Sequence, residues 1–177
     1  MDQPKIDDTQ SIYLPVSSGF PVVQEEKPTL RGWLHAGILP IVIAGGVLLI
    51  VLGQGAAAKV AGSIFFASSF LLFGNSALYH RFNWKPKTKL TLKRIDHANI
   101  FLLIAGSYTP VALSIIKGWQ GILILVVQWT MVLFGVLYKS LSKKSMPKAS
   151  VSIYLTMGWV AVFFMPTLIK VADPRFM

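Results

Sequence analysis

The sequence predicts an all-α integral membrane protein, built as a bundle of five transmembrane helices. Three observations carry this prediction. Of 177 residues, 54% are hydrophobic and only 14% are charged, against the ~25% charged residues usual in a soluble domain. Five windows, Leu34–Gly53, Lys59–Tyr79, Ile95–Ile116, Trp119–Tyr138 and Ser150–Ile169, reach the ~20 apolar residues that cross a hydrocarbon core as helix. None alternates with period two, which argues against an outer-membrane barrel. Backbone groups in lipid must also be satisfied within their own segment, which leaves helices.

Residues 1–30 stand apart from the transmembrane domain, 31–177. They hold Pro4, Pro15, Pro21 and Pro28 and five of the seven acids, and read as a mostly disordered cytoplasmic tail. A basic start followed quickly by an apolar run is missing, so no cleavable signal is expected and the first helix should be retained. Inside the five windows the charged residues are Lys59 and Asp96, both beside a window end. Pro40, Pro110 and Pro166 fall within windows, where membrane helices tolerate a kink. Trp33, Trp84, Trp119 and Tyr138 lie at window edges, as interfacial aromatics do.

The formal net charge of +10 is decided by placement. Thirteen of the seventeen basic residues precede helix 1 or sit between helices 2 and 3 or helices 4 and 5. The alternate side has Lys59, Lys117, Lys170 and Arg175. This bias over short loops puts the N-terminus in the cytoplasm and the C-terminus outside. Membrane lipids are the expected partner. Nucleic acid is not, because the basic residues form no surface interleaved with stacking aromatics. The absence of cysteine excludes disulfides, thiolate zinc sites and thiol nucleophiles.

Ionisable residues inside a bilayer are costly and are functional candidates by default. Helix 2 ends in SALYH, so Ser76 and His80 share a face. Seven-residue steps back along that face lead to Ser69 and Gly62, which also reads as a helix-packing seam ending in an interfacial histidine. Helix 3 begins RIDHANIF, with Asp96 and Asn99 on one face. Asp96 reads equally as an N-cap. A connector over 81–95 would make helices 2 and 3 antiparallel neighbours, with His80 and Asp96 at one depth. His35 and His97 fall on the same side, giving three histidines and a carboxylate with zinc or iron chemistry. His97 adjoins Asp96, however, and points about 100° away from it around the helix.

RGWLHAGILP, SALYHRFNW, LKRIDHANIFLLIAGSYTP and MGWVAVFFMP, in this order, resemble the bacterial hemolysin III family, itself related to the progestin and adipoQ receptors. The resemblance runs from about Lys27 to Ile169. It implies a seven-helix fold in the cell membrane with a cytoplasmic N-terminus. It also implies an intramembrane zinc site in which His80 coordinates the metal and Asp96 holds the metal-bound water and acts as general base. Ser76 would hydrogen-bond behind them. Such a site suits hydrolysis of a lipid amide or ester. The family pattern takes two further ligands from a His-x-x-x-His pair on its last helix, which this chain does not contain. The last two helices are therefore expected to be missing. A complete site would need self-association, a separate chain supplying those helices, or recruitment of His35 or His97. The alternatives are a non-enzymatic cytolytic or receptor-like membrane protein, or an inactive truncation.

Overall fold

The computed structural model describes residues 29–116, 118–141 and 147–172. The expectations for the tail, and the basic residues Lys117, Lys143, Lys144 and Arg175, lie outside the described residues. The described residues form five α-helices, α1 (Thr29–Leu52), α2 (Gly55–Arg81), α3 (Pro86–Pro110), α4 (Gly118–Leu141) and α5 (Pro147–Ala172). A π-helical turn, Val111–Ile116, follows α3. Spans Leu30–Leu52, Gly55–Arg81, Pro86–Ile116 and Gly118–Tyr138 are long and apolar enough to cross a membrane. The apolar stretch of α5, Val151–Thr167, is shorter. At 1.5 Å per residue it is roughly 25 Å long, against a core of ~30 Å. The all-α membrane class therefore stands, with four full spans and one shorter apolar helix.

Two turns need glycine. Gly55 (φ +79°) reverses the chain directly after α1, and Gly118 (φ +60°) does so before α4; both angles suit a residue without Cβ. The connection between α2 and α3 corrects the expected connector over 81–95, because only 82–85 lie outside helix. Pro86 sits in the first turn of α3, where its fixed φ suits a helix start and its missing N–H costs nothing. Lys87, Lys89, Lys93 and Arg94 thereby become helical residues. The carbonyl of Leu78 closes α2, accepting from the Phe82 N–H (3.4 Å) and from Trp84 Nε1 (3.0 Å).

This early start removes the N-cap reading of Asp96. The capping position is Lys85, which makes no side-chain cap bond, and Asp96 lies ten residues beyond Pro86, buried at 5% exposure. Pro110 is internal, as expected, and the ladder widens into the π-helical turn directly after it. Proline has no N–H to donate, and its ring crowds the carbonyl four residues back, which is the usual local cause of such a defect.

Helices adjacent in sequence pack side by side, and α5 lies on α3 and α4. Close approaches occur at small residues, the device that membrane helices use where no hydrophobic drive exists between them. A Cβ on Gly32 would meet His80 Cβ at 3.0 Å, and one on Gly46 would overlap the Phe66 ring. One on Gly106 would overlap Ser68, and one on Gly135 would come within 2.9 Å of the Phe101 ring. Phe101, Ala105, Val132 and Met157 form the core of the α3–α4–α5 half.

Candidate functional site

The helix-2 stripe is buried along its length: Gly62, Ser69, Ser76 and His80 all face the interior. Its middle part is a packing seam, since neighbouring Ser68 lies against Gly106. At its other end the surroundings turn polar. Ser76 is 1% exposed, His80 8%, Asp96 5% and Asn99 3%. Burial of this many polar groups among apolar residues is costly unless each finds a partner or a function.

Two asparagines fix the register of α2 against α3. Asn75 donates through Nδ2 to the Leu92 carbonyl (3.3 Å), and Asn99 donates likewise to the Leu71 carbonyl (2.9 Å). This sets Asp96 opposite residues 71–75 of α2. His80 is therefore about 10 Å nearer the connector end than Asp96, at 1.5 Å per residue. The equal depth expected from a symmetric connector is not observed, because α3 extends so far toward that end. Ser76 lies between the two.

The contact of Gly32 with His80 and that of Gly46 with Phe66 set His35 of α1 level with Ser76. The His35 ring meets the edge of Phe73 at a centroid distance of 5.3 Å. Its Nδ1 and the Ser76 hydroxyl are buried without a hydrogen-bond partner among the described residues. His97 is turned elsewhere, with Nδ1 2.6 Å from the Lys93 carbonyl. Ser76 and His35 thus lie level with each other, buried Asp96 lies about a turn below them, His80 stands a turn above, and His97 turns back on its own helix. No group of three His, Asp or Glu side chains able to hold a metal ion occurs among the described residues.

Several polar residues escaped the sequence reading. Tyr154 donates to the His97 carbonyl (3.0 Å), tying α5 to the polar end of α3. Tyr108 Oη accepts from the Ala161 N–H (2.8 Å) and lies 3.0 Å from the carbonyls of both Met157 and Gly158, which compete for its one proton. Gln128 is fully buried, and its Nε2 donates to the Met157 carbonyl at 2.9 Å. Trp129 Nε1 donates to Thr109 Oγ1 at 3.4 Å. Their signal in the sequence is a lone polar atom inside an apolar window, which periodicity alone does not assign to a partner.

No solved structure matches this chain significantly. The chain is 41% identical over 103 residues to the hemolysin-3 homolog of Bacillus subtilis (strain 168), covering 58% of this chain and 48% of that protein. It is 36% identical over 107 residues to hemolysin-3 of Bacillus cereus, covering 60% and 48% respectively. The chain spans about half the length of these two relatives. The family profile described as Haemolysin-III related matches residues 23–176, and with its membrane-spanning helices this chain belongs to the hemolysin III family of multi-pass membrane proteins.

Proposed function

We propose that this chain carries part of a zinc-dependent centre for hydrolysis of membrane-lipid amides or esters, with His80 and Asp96 as its contribution to the metal. The observation that carries the reading is the burial of Ser76, His80 and Asp96 toward one end of the bundle, where bilayer energetics would otherwise select apolar residues. Asp96 has lost its structural explanation as an N-cap, which strengthens the chemical one.

The residues present do not by themselves fit a closed zinc centre. Zinc takes three or four protein ligands, and the matched positions supply one imidazole and one carboxylate, offset along the bundle. The remaining ligands would come from a second chain, by self-association or as separate helices, or from His35. His35 is the better placed of the two spare histidines, because its Nδ1 is buried without a partner among the described residues and it lies level with Ser76. The basic residues around the α2–α3 connector support a cytoplasmic N-terminus in the cell membrane, by the positive-inside bias.

A lytic role, as the names of the two relatives say of those proteins, is the second reading. None of these helices has the strongly charged face of a surface-active lytic helix. The test is zinc titration of the detergent-solubilised chain. The expected result is weak binding, below one zinc per chain after desalting, reduced further by His80→Ala and by Asp96→Ala. Binding unchanged in both variants would overturn the ligand assignment.

A further inference from the structure

On the face of α2 turned away from Ser76 lies an apolar furrow of about 510 Å³ between α1 and α3. Gly74 and Leu78 each stand two residues from Ser76, about 160–200° around the helix at 3.6 residues per turn. Asn75 and Asn99 border the furrow, but Ser76, His80 and Asp96 do not line it, and it goes beyond the reading above. Its floor is Gly74, its walls include Leu39, Leu71 and Ile95, and Arg81 and Phe82 stand at its end. The glycine is what makes the floor low: a Cβ there would find its nearest atom, Leu39 Cδ2, 4.0 Å away.

Among the described residues, the charge at the end of the furrow is one-sided. Arg81 is followed by Lys85, Lys87, Lys89, Lys93 and Arg94 at the same end of the bundle. Asp96 is the only acid among the described residues, and it is buried. The Arg81 guanidinium stacks on the Trp33 ring, 4.1 Å from its centroid. Stacking engages the face of the guanidinium and leaves the N–H donors in its plane, in the fork that matches a phosphate. Trp33 is itself 61% exposed, as an aromatic at headgroup level is.

We propose that this furrow seats one acyl chain of an anionic phospholipid, whose phosphate is held by Arg81. The chain lies along Leu78 over Gly74, and the headgroup rests among the basic residues of the connector end. A zwitterionic lipid offers the same tail but lacks the net charge that the six cations attract.

The test uses the full chain in nanodiscs of mixed phosphatidylglycerol and phosphatidylcholine, with a spin label on one lipid or the other. The motionally restricted lipid fraction is read by electron paramagnetic resonance. Wild type is expected to restrict phosphatidylglycerol in preference to phosphatidylcholine. Arg81→Gln should reduce that preference about fivefold, the effect of one basic contact. Gly74→Leu should abolish the restricted site with Arg81 intact. Gly74→Ala, whose methyl meets open space, serves as the folded control if the leucine variant is unstable, and should weaken restriction partially. His80→Ala and Asp96→Ala should leave it unchanged. If Arg81→Gln lowers the preference while Gly74→Leu and Gly74→Ala do not, the charges act as a diffuse surface, and the seat is refuted. Lipid restriction unchanged in Gly74→Leu together with an altered oligomeric state would assign the furrow to a second copy instead.

Discussion

Replacing Asp96 by Asn separates a residue kept for chemistry from one kept for the fold. The carboxylate is 5% exposed and lies ten residues past the start of α3, roughly 15 Å along the helix at 1.5 Å per residue. An aspartate at the centre of a membrane helix costs about 2.5–3.5 kcal/mol on insertion scales, and less toward the interface. Asn has the same shape without the ionisable group. Asp96→Asn should therefore leave the helical content intact and stabilise the protein by about 1–3 kcal/mol, scaled down from that central cost because Asp96 lies toward one end. Reversible unfolding in dodecyl sulfate, followed by far-ultraviolet circular dichroism, measures the difference. A carboxylate held by charge-assisted hydrogen bonds as a structural partner would instead lose about 1.5–3 kcal/mol on this change. A loss of that size or more in Asp96→Asn would refute the reasoning, because it would make the carboxylate a structural partner.

Two further outcomes follow from the packing and from the charge bias. Tyr108→Phe removes the hydroxyl that accepts from Ala161 and bonds the Met157–Gly158 carbonyls. At ~0.6 kcal/mol per interhelical bond in a membrane protein, the cost should be about 1–2 kcal/mol. Hydrogen exchange should quicken in α5 while α1 and α2 stay unchanged; equal quickening throughout would contradict a local role. The chain has no cysteine, so single cysteines report topology without background. In intact cells an impermeant maleimide should label Gln54→Cys, and should label Lys85→Cys only after permeabilisation. The reverse pattern would overturn the orientation.

The membrane class and the helix-2 stripe were legible because both are periodic and rest on many residues. The start of α3 was not read correctly. Lys87, Lys89, Lys93 and Arg94 look like a loop when lipid is assumed to begin where charge ends, whereas a helix can extend through the headgroup layer before entering the core. Pro86 in the first turn was the available signal. That misreading produced two others, the N-cap reading of Asp96 and its equal depth with His80. The links of Tyr108 and Gln128 to α5, and of Tyr154 to α3, are not legible in the sequence, because a single polar atom in an apolar window does not name the backbone group it will meet. The sequence places His35 only on the same side as the other two histidines. Its half-buried position opposite Ser76 follows from helix register, which the sequence of one helix does not contain.

On the proposed function, this chain supplies an incomplete ligand set in a buried polar region. Zinc-edge X-ray absorption of the zinc-loaded, detergent-solubilised chain counts those ligands directly. The account predicts a first shell of oxygen with one imidazole from His80, rising to two if His35 is recruited, the second being lost in His35→Ala. A shell containing all three histidines of the chain at the ~2.0–2.1 Å of a tight zinc–nitrogen bond would contradict it, because the site would then close without a partner.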